Sequence, residues 1–120
     1  MNLSGLWQSK YRYSSDVRKQ EFENEHEVIF EHSAKSLIGK SKDSQDGSQL
    51  VFDLKVDDNI VTGTWSEKTS TSGYYKGMVF HGAIQLVILE NGRKMIGQWV
   101  GYNSGRTKIK TGEWQLVKKV

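Results

Sequence analysis

The chain has 120 residues, no cysteine and a net charge of +3. That length fits one domain spanning residues 1–120, and the absence of cysteine excludes a disulfide framework and thiolate metal sites. With 36% hydrophobic and 26% charged residues the chain is neither a disordered tail nor a membrane helix, and no run nears ~18 apolar residues. The N-terminus lacks a secretory apolar core, so a cytoplasmic location is expected.

Hydropathy alternates with a period of two almost everywhere, which predicts strands and no helix. The first strand, 5–14, sets Trp7, Ser9, Tyr11 and Tyr13 on one face against Leu6, Gln8, Lys10 and Arg12. The second, 22–32, carries Phe22, Asn24, His26, Val28, Phe30 and His32 inward and a row of glutamates from Glu21 to Glu31 outward. Pairing the two brings Lys10 and Arg12 opposite those glutamates and relieves their repulsion. Further strands are predicted at 35–42, 49–56, 60–68, 82–90, 93–102 and 107–118, giving eight.

Two hairpins can be registered from their turns. Asn91-Gly92 is a strong type I′ signal, which sets Leu86 opposite Gly97 and Ile84 opposite Trp99. Asp58-Asn59 permits the same turn, placing Leu54 opposite Gly63 and Phe52 opposite Trp65. The inside then holds Leu50, Phe52, Leu54, Val56, Val61, Trp65, Ile84, Leu86, Ile88, Met95 and Trp99. The reverse face, including Val87, Leu89, Ile96 and Val100, is too apolar for open solvent. Either the 69–80 loop folds over it or a partner does, as a homodimer or effector-domain contact.

All four tryptophans lie two residues after a glycine, at Trp7, Trp65, Trp99 and Trp114. Residues i and i+2 share a face of a strand, so each indole has a side-chain-free position beside it. Repeated, this describes a strongly coiled sheet, and eight antiparallel strands with short turns can close into an up-and-down barrel. Such an interior is either filled by side chains or holds one small ligand. The two hairpin registers assign Trp65 and Trp99 mainly to packing.

Candidate ligand contacts are therefore the inner polar residues Tyr11, Tyr13, Asn24, His26 and Glu67, which would be costly if dry and unpaired. Tyr74, Tyr75 and Lys76 in the longest irregular stretch join them, as does Arg106 in a second basic loop after residue 93, where basic residues gather. The two loops are separated by two strands, so they share one mouth. Aromatic and basic groups there suit a base and a phosphate better than a fatty acid. His26 and His32 lie about 20 Å apart on one extended strand, and His81 points outward, so no metal site is expected. No nucleophile elbow or phosphate loop is present; neither a cofactor nor enzyme activity is expected.

The run Gly63-Thr64-Trp65-Ser66-Glu67-Lys68-Thr69-Ser70, with Gly73-Tyr74-Tyr75-Lys76-Gly77, His81-Gly82-Ala83-Ile84-Gln85-Leu86-Val87 and Thr111-Gly112-Glu113-Trp114-Gln115-Leu116, resembles a known small domain. It is the C-terminal domain of bacterial Xre-type helix-turn-helix regulators, a small calycin-like barrel; lipocalin-like barrels also open with Gly-x-Trp. The resemblance begins at Leu3-Ser4-Gly5-Leu6-Trp7 and covers nearly the whole chain. No helix-turn-helix is present, so DNA binding is not carried over. The architecture is also similar to the compact barrel receptors of bacterial antiviral defence, which bind cyclic dinucleotides. Together these imply a ligand-sensing barrel for a planar anionic molecule such as a nucleotide or cyclic nucleotide, within a regulatory or defence system. The alternatives are a side-chain-filled interaction or dimerisation module, and a carrier of lipid or another hydrophobic ligand.

Overall fold

The computed structural model describes residues 1–15, 18–42 and 47–119. Eight strands follow in order: β1 (Gly5–Ser15), β2 (Gln20–Ser33), β3 (Ser36–Ser41), β4 (Gln49–Asp57), β5 (Ile60–Lys68), β6 (Val79–Leu89), β7 (Lys94–Tyr102) and β8 (Ile109–Lys118). Each pairs antiparallel with its sequence neighbour, and β8 returns to β1, closing an up-and-down barrel. The alternation seen in sequence is the cause. In β4, Leu50, Phe52, Leu54 and Val56 are buried while Gln49, Val51, Asp53, Lys55 and Asp57 face water. Closure leaves no open sheet edge for another chain to template on.

Both hairpin registers expected from the turns are present. Leu54 pairs with Gly63 and Phe52 with Trp65; Leu86 pairs with Gly97 and Ile84 with Trp99. Asn91 and Gly92 both take the left-handed φ that a type I′ turn demands, 54° and 86°, whereas at Asp58-Asn59 only Asp58 does, at 54°, so that turn keeps the expected register without being type I′. Glu90 is left-handed too, at 53°, and the ladder ends at Leu89–Lys94, so the β6–β7 connection has four residues where a minimal hairpin has two.

Strand boundaries differ from the sequence pattern by up to three residues, and two of the shifts have a visible cause. β6 begins at Val79 instead of 82, because the ladder with β5 continues to Lys68–Val79. β8 begins at Ile109 instead of 107, because the Asn103 side chain accepts from the Thr107 and Lys108 amides at 2.8 and 3.0 Å. A side chain that takes up backbone donors this way competes with the ladder.

The glycine positions serve neighbouring strands. Across the ladders, Trp65 faces Gly82, Trp99 faces Gly112 and Trp114 faces Gly97. A Cβ on Gly97 would lie 1.9 Å from the carbonyl oxygen of Gln85, so backbone approaches backbone there as only glycine allows. The indoles pack edge to face: Trp65 lies 5.7 Å from Trp99 at 84° and 5.5 Å from Trp114 at 60°. Every indole N–H has an acceptor: the carbonyls of Leu3, Ala83 and Arg12 for Trp7, Trp65 and Trp99, and Ser9 Oγ for Trp114.

The lower half of the barrel is solid. Trp7, Val28, Phe30, Leu37, Phe52, Leu54, Leu86, Met95 and Leu116 fill it without measurable exposure beyond 1%. Leu3 plugs the end from below. Its amide donates to His32 Nδ1 at 3.1 Å and its carbonyl accepts from Trp7. On the outer wall Lys10 pairs with Glu25 at 3.3 Å, Arg12 with Glu23 at 3.3 Å and Lys119 with Glu27 at 3.0 Å. These relieve the acidic stripe of β2, though exposed pairs of this kind contribute at most about 1 kcal/mol each.

Candidate functional site

The upper half of the barrel is hollow. A cavity of about 410 Å³ opens between the β1–β2, β3–β4, β5–β6 and β7–β8 connections, within the range typical of small-molecule sites. Its size follows from a change in the inward residues. Below, the strands offer leucine, valine, Met95 or a fully buried aromatic ring. Above, β1 offers Tyr11 and Tyr13, β2 offers Asn24 and His26, and β5 offers Glu67. The two answers to whether the barrel is filled or hollow therefore divide it between them.

Seven of the nine residues expected from sequence line this cavity: Tyr11, Tyr13, Asn24, His26, Glu67, Tyr74 and Tyr75. At its base they form one network. Asn24 Nδ2 donates to the Tyr11 hydroxyl at 3.0 Å, and that hydroxyl donates to Glu67 Oε1. His26 Nε2 lies 3.2 Å from Ser48 Oγ and 3.8 Å from Glu67 Oε2. Glu67 is 4% exposed. Burial, then the adjacent Glu67 charge and hydrogen bond, push the Tyr11 hydroxyl well above its ordinary pKa. Burial, followed by the neighbouring Tyr75, raises that of Tyr13 as well. Both phenols stay neutral donors across the physiological range.

The other two are placed elsewhere. Neither Lys76 nor Arg106 lines the cavity. Lys76 sits exposed at φ 52° in the tight turns of the β5–β6 loop, where Gly73 and Gly77 amides both bond the Ser70 carbonyl. Arg106 lies over the Tyr102 ring, 5.2 Å from its centre. The basic groups that do line it are Arg18 and Lys110. Arg18 stacks on Phe22 at 3.9 Å and on Tyr74 at 4.9 Å, bridging two mouth loops. The Ser15 and Tyr75 hydroxyls join the same loops at 2.6 Å.

Trp65 and Trp99, assigned to packing from the hairpin registers, also form part of the cavity wall, together with Phe80 and Tyr102. Their N–H groups are committed to backbone carbonyls, so they present ring surface only. Ser9, another inner polar residue of β1, is occupied by the Trp114 indole and belongs to the core. The 69–80 stretch packs at the mouth, with Tyr75 5.7 Å from Phe80, so it does not cover the outer β6–β7 face. Leu89 and Val100 remain 41% and 43% exposed there, while Val87 and Ile96 are half-buried.

Among the described residues no group of three or more His, Asp or Glu is arranged to hold a metal ion, and no helix is long and apolar enough to cross a membrane. No known protein family, curated protein or solved structure matches the chain.

Proposed function

We propose that this chain is a binding barrel for a small planar molecule carrying an anionic group, with a nucleotide-type ligand as the leading candidate. The observation that carries the reading is the division of the barrel: a solid lower half under an aromatic-walled cavity whose mouth bears Arg18 and Lys110. Rings of Trp65, Trp99, Tyr13, Tyr75 and Phe80 offer stacking surface, worth about 1–3 kcal/mol per base in such sites. The cationic side chains at the mouth attract an anionic tail and raise its local concentration. A fatty acid finds less support, because the base of the cavity is a hydrogen-bonded polar network whose desolvation a hydrocarbon tail would leave unrewarded. The role as a sensor rests on the resemblance to the regulator-appended and defence-receptor barrels: the ligand would bridge loops that Arg18 and Tyr75 already tie together.

The test is a thermal-shift panel of mononucleotides, cyclic nucleotides and fatty acids. A ligand present at 100 times its Kd should stabilise the fold by about 2.7 kcal/mol. No stabilisation by any nucleotide at millimolar concentration would overturn the nucleotide reading.

A second reading is compatible with the first. The apolar outer face of Leu89, Val100, Val87 and Ile96 supports a contact surface for a second copy or an effector domain. Sedimentation at rising concentration tests self-association; a monomer throughout would remove the homodimer.

A further inference from the structure

Charge divides the outside of the barrel into two walls. β1 and β2 face outward with Lys10, Arg12 and the row of glutamates, and β3 and β4 with Lys40, Asp53 and Lys55. The wall of β5 to β8 is different. Its outward positions from Ile60 to Ser66, His81 to Val87, Ile96 to Tyr102 and Ile109 to Gln115 hold no lysine or arginine and one carboxylate, Glu113. Resting on the reading of the outer β6–β7 face as a contact surface, we propose that its occupant is a second copy of this chain, packed wall to wall about a two-fold axis that runs along the strands between β6 and β7.

Three observations converge. First, the wall has the anatomy of an interface. Its centre is nearly uncharged and its border is not: Asp53 and Lys55 pair with its edge on the β4 side, Lys10 pairs with it on the β1 side, and Lys68 and Lys94 stand at its two ends. Depletion of charge at the centre within a polar rim is the compositional mark of protein contact surfaces. With its rim the wall offers roughly twenty residues, the lower end of what a standard interface uses on each side. Second, the centre favours its own kind. A strongly charged partner would be desolvated against a wall holding one carboxylate, whereas a second copy brings the same neutral surface. A two-fold contact through β2 would instead lay glutamates on glutamates. Third, the wall matches itself when its strand order is reversed.

The central rung runs Thr62, Gln85, Gln98 and Glu113, each paired with the next and all exposed. The two-fold axis reverses that order in the second copy. Gln85 then lies against Gln98 of the second copy, where each amide brings a donor and an acceptor for the other. Thr62 lies against Glu113 of the second copy, a hydroxyl donor against a carboxylate. On the rungs to either side, Ala83 meets Val100 and Val87 meets Ile96, apolar against apolar. No like charges meet across the centre. Threonine, valine and isoleucine, common on this wall, are stiff at χ1 and lose little freedom on burial.

The experiment is sedimentation velocity on the full chain from micromolar to millimolar concentration, native and as Gln85→Lys and Gln98→Glu. Both substitutions fall on exposed strand positions and leave the core untouched, which their melting transitions check. The native chain should dimerise within this range. Each variant alone sets a charge against a neutral amide and should weaken the dimer at least about tenfold. In an equal mixture the new lysine of one variant faces the new carboxylate of the other, and association should return to within about threefold of native. Weakened single variants without rescue in the mixture would overturn the two-fold pairing while leaving the face a contact surface. A native chain monomeric at millimolar concentration would overturn the second copy as occupant and leave the face to a different partner. A dimer that neither variant weakens would overturn both the pairing and the reading of this face.

Discussion

Trp99 reaches the carbonyl of Arg12 through the space that a side chain on Gly112 would fill. The indole nitrogen lies 2.9 Å from that oxygen. A Cβ built on Gly112 would sit 2.6 Å from the same nitrogen and 2.3 Å from the same oxygen. The glycine on β8 thus lets an indole on β7 tie itself to the backbone of β1, across the seam where the barrel closes.

Gly112→Ala should therefore cost about 2–4 kcal/mol, since both colliding atoms belong to a well-packed wall and the hydrogen bond is lost as well. Gly105→Ala is the control. Its Cβ would meet nothing closer than 3.9 Å, and its effect should stay within about 0.5 kcal/mol. Urea unfolding of both variants measures the difference; equal stabilities would remove the close approach as a stabilising feature.

Tyr11→Phe should destabilise by about 1–3 kcal/mol, because it leaves the buried Glu67 carboxylate without the hydroxyl that donates to it. It should also change the alkaline limb of the stability curve. Tyr11 is raised in the fold and ionises near its ordinary value of about 10 in the unfolded chain. Above that pH the unfolded state binds fewer protons than the folded one, so stability falls as pH rises; below it the contribution is fully present. Denaturation midpoints at several pH values between 8 and 11 should drop more steeply for the native chain than for Tyr11→Phe. Parallel curves would show that Tyr11 does not carry this dependence.

How much of this was legible in sequence depends on chain distance. Phe52 against Trp65 and Ile84 against Trp99 could be counted because a two-residue turn fixes register locally. Tyr11 and Glu67 could each be assigned to an inner face, but their meeting could not, since they lie on strands that barrel closure alone brings across from one another. The loop cations were harder still. Lys76 and Arg106 sit on the expected loops, yet side-chain direction in a loop follows from turn geometry and ring stacking that no alternation pattern encodes. Arg18 was within reach: the same parity of strands that joins the 69–80 and 103–107 loops at one mouth also places the β1–β2 connection there. Trp65 and Trp99 are divided residues, structural through their N–H groups and cavity-lining through their rings.

That correction yields a contrast among cations. Arg18→Ala should weaken binding of an anionic ligand such as GMP about tenfold and flatten its salt dependence, as loss of one charge-assisted contact at an exposed rim predicts. Lys76→Ala and Arg106→Ala should each stay within about twofold. Calorimetry at two salt concentrations separates the cases, and a larger loss from Lys76→Ala than from Arg18→Ala would return the anion site to the β5–β6 loop.

The same division of the barrel predicts a spectroscopic signature. Trp7 and Trp114 are fully buried, whereas Trp65 and Trp99 border the cavity. A stacking ligand should quench part of the tryptophan emission and shield that fraction from acrylamide. Replacing Trp65 and Trp99 together by Phe should abolish the ligand-dependent change while leaving the emission of the lower core. A response that survives the double replacement would move the ligand away from the upper wall.

The floor of the barrel is held by one side chain from outside the strands. Leu3 has no exposed surface, and its amide and carbonyl are tied to His32 and Trp7. Ser4 Oγ accepts from the His32 amide at 2.8 Å, so the N-terminal segment is stitched to the β2–β3 end on both sides of the leucine. Leu3→Ala keeps those backbone bonds and removes only the plug, opening a gap beneath Trp7 that the stitched segment cannot readily close. The expected cost is about 2–5 kcal/mol, in the range for buried leucine truncations. The upper cavity lies on the other side of the packed aromatic layer, so Kd for a ligand such as GMP should remain within about twofold at temperatures where the variant is folded. A stability loss without an affinity loss would show that the two halves of the barrel act independently; a matching loss of affinity would show that the floor positions the site.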